Sequence, residues 1–217
     1  MTDLERKHMK TAYVFFNGEL LGSTEYYTEL IKNEPGDLYC ADGGANIMEE
    51  LGVYPKEIWG DLDSVSQDIL EKYAKAGVVI KKFPRDKDYT DGELILRYLS
   101  EQDYDKIVII GGLGGRRDHE LSNINLLFIF KNLYLITEEE KMFCIENYIE
   151  LDNIKGKTVS FIPFSEQVTK LTLKGFKFPL NEYTLVQGSS ICMSNVALED
   201  HCVVSFESGK LIGIIVK

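Results

Sequence analysis

Four short stretches hold residue types that can do chemistry together. Asp42-Gly43-Gly44-Ala45-Asn46 joins a carboxylate to paired glycines, which let backbone approach a ligand closely where a helix N-terminus favours an anion. Gly60-Asp61-Leu62-Asp63-Ser64 sets two carboxylates at i and i+2, a spacing that lets both converge on one hard cation such as Mg²⁺. Pro84-Arg85-Asp86-Lys87-Asp88-Tyr89-Thr90-Asp91 interleaves three aspartates with two cations, suited to holding metal and phosphate together. Gly111-Gly112-Leu113-Gly114-Gly115-Arg116-Arg117-Asp118-His119 is too glycine-rich to pack a core. It suits N–H groups facing phosphate, with Arg116 or Arg117 adding a charge-assisted fork. It matches neither G-x-x-x-x-G-K-[ST] nor G-x-G-x-x-G.

Each stretch also has an ordinary reading. Asp42 could cap a tight turn, Asp63 or Ser64 the following helix, and Asp118 the next. Thr90 stands at capping-box spacing from Glu93, which leaves Asp86 and Asp88 unexplained. His119 reads as a hydrogen-bonding residue at a helix start, and Trp59 as strand packing. His8 and His201 show no partner and receive no role.

The elements that must position these stretches alternate. Strand signals at Thr11–Asn17, Asp37–Asp42, Glu57–Asp61, Val78–Lys82, Lys106–Gly111 and Leu133–Thr137 are separated by helical ones, the last of them from Asp118 to Asn132. Such alternation predicts a three-layer α/β domain with a mostly parallel sheet and helices on both faces. The four stretches then fall at successive strand carboxyl ends, where open α/β sheets bind ligands. They describe one crevice for metal and polyphosphate. Asp61, Asp63 and Asp88 gathered there without a cation would repel one another.

After about Met142 no long helical pattern remains. Short strands at Lys157–Pro163, Gln167–Leu173, Ser190–Met193, Cys202–Phe206 and Leu211–Val216 predict a smaller antiparallel β-sandwich or barrel, with Glu207–Lys210 as a hairpin turn between the last two. The expected domains are residues 1–146 and 147–217. Charge changes at the same place: residues 1–150 carry 29 acidic side chains against 17 basic ones, and the remainder is nearly balanced.

With a net charge of −11, a broad basic face for nucleic acid is excluded. No apolar run is long enough to span a bilayer, and the polar N-terminal stretch lacks a signal-peptide apolar region. Four dispersed cysteines without a CxxC pair read as reduced thiols, so a cytoplasmic protein is expected.

Taken in order and spacing, Asp42–Asn46, Gly60–Ser64, Asp88–Asp91 and Gly111–His119 resemble the signature motifs of the thiamine pyrophosphokinase (thiamine diphosphokinase) family. The β-rich remainder resembles that family's C-terminal sandwich, which helps bind thiamine. The resemblance implies transfer of pyrophosphate from ATP to the thiamine hydroxyl, leaving AMP, in a homodimer. It implies Mg²⁺ on Asp61, Asp63 and Asp88, with Asp118 also in the active site. It implies ATP at Asp42, Gly43, Asn46, Asp91, Gly112, Gly114, Arg116 and Arg117, and thiamine at Ser194 and Asn195. Two positions depart from the pattern. Val196 follows Ser-Asn where many bacterial members have Glu, and no C-terminal Trp is present, so ring stacking on thiamine falls to a Phe or Tyr such as Phe206. The Asp-x-Asp loop also resembles the nucleophile loop of haloacid-dehalogenase-type phosphatases. That alternative makes Asp61 the nucleophile and needs a downstream Lys and acid, for which Lys106 and Asp118 are poor fits. A third reading, a Ca²⁺- or sugar-binding module on the β part, leaves the glycine-rich loops without purpose.

Overall fold

The computed structural model describes residues 9–86 and 88–217; His8 and Lys87 lie outside the described residues. The chain divides into two compact units, Met1–Glu138 and Glu139–Lys217.

In the first unit β1 (Thr11–Phe15), β2 (Asp37–Ala41), β3 (Glu57–Gly60), β4 (Val79–Lys82), β5 (Lys106–Ile110) and β6 (Leu133–Ile136) form a parallel sheet in the order β6-β5-β1-β2-β3-β4. The helices are α1 (Thr24–Asn33), α2 (Gly44–Leu51), α3 (Gln67–Lys75), α4 (Asp91–Ser100) and α5 (Arg117–Leu126). Side chains alternate across the pleat. Ile58 of β3 joins Tyr13, Phe15, Tyr27, Met48 and Tyr73 in one core cluster with α1, α2 and α3. The next residue, Trp59, points the other way, stacking on Phe83 and lying 5.2 Å from the ring of Tyr98 on α4. Helices therefore cover both faces, and Trp59 packs the strand as expected. Three of the helices, α1, α3 and α4, start on side-chain oxygens that meet otherwise orphaned N–H groups, whereas α2 and α5 start without a side-chain cap. Ser23 Oγ accepts from Tyr26 N, Ser66 Oγ from Ile69 N, and Thr90 Oγ1 from Glu93 N at 3.2 Å.

Strand order reverses at β1. The chain runs outward through β2, β3 and β4, then returns to place β5 and β6 on the other side of β1. Connections after β1, β2, β3, β4 and β5 thus meet at one end of the sheet, which is where a ligand crevice forms in this architecture.

The second unit holds β7 (Glu140–Ile145), β8 (Tyr148–Asp152), β9 (Thr158–Pro163), β10 (Gln167–Lys174), β11 (Leu180–Val186), β12 (Asn195–Val196), β13 (His201–Ser205) and β14 (Leu211–Val216). They make two antiparallel four-stranded arrays, β12-β9-β14-β7 and β11-β10-β13-β8. Burial alternates along β10 and β13, with Val168, Leu171, Cys202 and Val204 fully inside, as a sandwich requires.

Several expectations differ from this architecture. Glu207–Lys210 is not a hairpin turn: β13 pairs with β8 and β10, β14 with β7 and β9, so the connection carries the chain from one sheet to the other. Ser190–Met193 is a turn, and the strand begins only at Asn195. The helix expected to reach Asn132 ends at Leu126 and continues as turns to a left-handed Asn132, φ 54°. The unit boundary falls at 138/139, because β7 pairs with β14 along its whole length and so groups with the second unit.

Candidate active site

A crevice of about 540 Å³ opens at the carboxyl ends of the first unit's strands, and all four chemically marked stretches reach it. Its wall includes Asp42, Asp61, Asp63, Asp88, Asp91, Gly112, Gly114 and Arg116. Gly43, Asn46, Arg117 and Asp118 are not on the wall.

Three carboxylates converge. Asp42, Asp61 and Asp63 each offer an oxygen within 4.8 Å of the others. Local backbone geometry brings them there. Asp42 ends β2 in the left-handed region, φ 42°, its N–H donating to Trp59 O at 2.8 Å. Gly60 leaves room for it, since a Cβ there would stand 2.9 Å from Asp42 Cβ. Leu62 also turns left-handed, φ 66°, and Asp63 N–H donates back to Asp61 Oδ1 at 3.3 Å, so both carboxylates of the loop face the crevice. Asn46 Nδ2 donates to Ser64 O at 3.0 Å, tying this loop to α2. Arg85 reaches Asp63 at 3.6 Å. Asp42 Oδ1 is buried with no hydrogen-bond partner among the described residues. A buried carboxylate oxygen left unpaired is costly. An all-oxygen trio with such an atom fits a hard divalent cation. Asp88 lines the same crevice from the loop after edge strand β4, but its carboxylate lies outside this trio; Asp42 stands in its place.

Opposite in chemistry is the loop after β5. Gly111, Gly114 and Gly115 have φ of 70°, 77° and 72°, left-handed conformations that favour glycine. Asn123 Nδ2 on α5 donates to Gly112 O at 2.8 Å and fixes the loop. Arg116 pairs with Asp118 at 2.7 Å. The hydrogen-bonded guanidinium holds the Asp118 carboxyl below the usual carboxylate range, and Arg116 is raised in turn. Both side chains are exposed. Arg117 pairs with Glu120. Arg116 thus lines the crevice, while Arg117 and Asp118 do not.

Phe16, Asn17 and Gly18 after β1, and Ser122 and Asn123 on α5, also line the crevice. Residue types did not mark them. The one available signal was position, since Asn17-Gly18 follows the apolar run of β1 directly.

In the second unit Ser194 is exposed, with φ 53°, its N–H donating to Ser160 Oγ. Asn195 is buried and spends its carboxamide on the protein. Its Oδ1 accepts from Phe178 N and Val196 N, and its Nδ2 donates to Phe178 O. Phe206, expected to stack on a ligand, is only 6% exposed and serves the core; Phe178 is 55% exposed. His201, expected to lack a partner, pairs with Asp152 at 2.8 Å, which raises its pKa. Lys106 pairs with Glu34 at the amino end of β5, the end opposite the crevice, so it cannot serve an Asp61 nucleophile.

The chain matches the model of the thiamin pyrophosphokinase catalytic domain over residues 28–137 and that of the thiamin pyrophosphokinase vitamin B1 binding domain over 146–211. A thiamine pyrophosphokinase of Bacillus subtilis is 38% identical over 180 residues, covering 80% of this chain and 84% of that protein. A rice thiamine pyrophosphokinase is 32% identical over 198 residues, covering 78% of this chain and 74% of that one. Among solved structures, the B. subtilis thiamine pyrophosphokinase superposes with a TM-score of 0.83 at 30% identity, covering 96% of this chain and 99% of its own. That from Geobacillus thermodenitrificans gives 0.82 at 27%, covering 95% and 97%.

Proposed function

The chain belongs to the thiamine pyrophosphokinase family, and on that premise we propose how its residues divide the work. It is a transferase that moves a pyrophosphoryl group from ATP to the hydroxyl of thiamine, giving thiamine diphosphate and AMP. The haloacid-dehalogenase alternative finds no support, either among the relatives or in the placement of Lys106.

The first unit binds ATP and the second thiamine. Transfer of this type asks mainly for positioning and charge neutralisation. Asp42, Asp61 and Asp63 hold Mg²⁺, with Asp88 and Asp91 facing the same space; the bound cation supplies Lewis-acid stabilisation of polyphosphate charge. The buried, unpartnered Asp42 Oδ1 in a three-carboxylate group is the observation that carries this assignment. Glycine N–H groups of residues 111–115 and Arg116 bind phosphate, and Arg116 exchanges its Asp118 contact for the nucleotide. Asn46 holds the Asp61–Ser64 loop through Ser64 O. Exposed Ser194, and Phe178 presented by Asn195, contact thiamine; an aromatic face suits the thiazolium cation. The working form is a homodimer in the cytoplasm, in keeping with four free thiols.

Incubation with ATP, Mg²⁺ and thiamine should yield AMP and thiamine diphosphate in equal amounts by liquid chromatography. ADP or free phosphate in place of AMP would contradict the reading.

A further inference from the structure

The loop after β1 sits at the reversal of strand order, between the carboxylates that follow β2 and β3 and the glycines that follow β5. A ligand at the carboxyl ends of these strands lies over it. Close backbone approaches fix its place. Gly18 N–H donates to Gly111 O at 2.9 Å, and a Cβ on Gly18 would stand 2.3 Å from that oxygen. A Cβ on Gly44 would stand 2.1 Å from Phe15 O. The loop is thereby held against both of its neighbours. Within it, Asn17 presses its carboxamide against the bare Cα of Gly43, where a Cβ would meet Oδ1 at 2.1 Å and Nδ2 at 2.5 Å. Asn17 is exposed and lines the crevice, and no hydrogen bond to its carboxamide exists among the described residues. A carboxamide carries two donor hydrogens and an acceptor oxygen. Oriented by packing alone, this one keeps all of them for a ligand.

We infer that Asn17 is a nucleotide-binding residue whose carboxamide donates to a phosphate oxygen of ATP, and that Gly43 is glycine to leave room for it. The inference rests on the reaction assigned above. Its neighbours select phosphate over the other parts of the substrates: the Gly111–Gly115 loop and Arg116 on one side, and Asp42, adjacent to Gly43, on the other. A cation-bound triphosphate must span these two groups, and Asn17 stands at the junction.

The test is steady-state kinetics of Asn17→Ala, Asn17→Asp, Gly43→Ala and the Asn17→Ala/Gly43→Ala double variant, with calorimetric titration of a non-hydrolysable Mg-ATP analogue. Asn17→Ala should raise the KM for ATP and weaken analogue binding by about tenfold or more, the size of a lost hydrogen bond to a charged group, while the KM for thiamine stays within about twofold. Asn17→Asp, isosteric but anionic, should bind the analogue more weakly still. Gly43→Ala should act in the same direction, because its methyl displaces the carboxamide, and should add little in the Asn17→Ala background. Unchanged analogue affinity in Asn17→Ala, or additive effects of the two single changes, would overturn the inference. Gly43 has φ −61°, which alanine adopts freely; should that variant fail to fold, the two Asn17 variants decide the question alone. Analogue binding is scored apart from turnover. A wild-type protein that binds the analogue but releases no AMP would count against the reaction, leaving Asn17 to be judged on affinity.

Discussion

Replacing Asp42 by Asn isolates the charge of the carboxylate trio, since the side chains are isosteric and Asn accepts a left-handed backbone. At the 4.8 Å limit of the trio, one like-charge pair costs about 0.9 kcal/mol in bulk water and about 3.5 kcal/mol at an effective dielectric of 20. Asp42 takes part in two such pairs. Because the Asp63 side chain is 52% exposed, screening brings the sum toward its low end, about 1–2 kcal/mol. Without a divalent ion, Asp42→Asn should therefore stabilise the first unit, raising its Tm by about 2–8 °C. With Mg²⁺ the order should invert. The wild type gains stability as the logarithm of metal over Kd, and the variant loses most of that gain. Differential scanning calorimetry in EDTA and across a Mg²⁺ series reads both effects. A variant less stable than wild type in EDTA, or one that keeps the full Mg²⁺-dependent shift, would refute the reasoning.

Other consequences can be checked separately. Gly44→Ala puts a methyl 2.1 Å from Phe15 O, a backbone atom that cannot yield cheaply, and should destabilise by about 2–4 kcal/mol in denaturant titration; a loss under about 1 kcal/mol would contradict the close approach. Asn195→Ala strands Phe178 N, Phe178 O and Val196 N, so hydrogen exchange at the amides of Phe178 and Val196 should accelerate at least about tenfold; wild-type protection would contradict their dependence on that side chain. Asp152 raises the pKa of His201, so the pair's contribution is fully present below the unfolded histidine pKa and is lost as pH rises through the folded one. Asp152→Asn should bring the His201 titration, followed by NMR, down toward the ordinary value; an unmoved midpoint would contradict the pairing.

The parallel sheet was legible because its strands are short apolar runs separated by helical segments, three of which carry capping residues, Ser23, Ser66 and Thr90. The Asp61–Ser64 and Gly111–Arg116 stretches were legible because their composition has no use in a core. Asp42 as a member of the carboxylate trio was not. Its place depends on a left-handed backbone and on room beside Gly60, properties of two strands side by side. Asn17 escaped notice for a related reason, since an asparagine after a strand reads as a turn until Gly43 is seen beneath it. In the second unit the period-2 pattern revealed strands but not partners. Glu207–Lys210 has good turn chemistry, yet the strands it joins enter different sheets. The exposure of Phe178 and the burial of Phe206 likewise follow from pairing that residue types do not encode.

A crystal of the protein grown with Mn²⁺ in place of Mg²⁺, a non-hydrolysable ATP analogue and thiamine would locate the cation by its anomalous scattering. The account predicts a peak bonded to carboxylate oxygens of Asp42, Asp61 and Asp63 and to the analogue's phosphates. A peak on other side chains, with these three carboxylates left facing solvent, would contradict it.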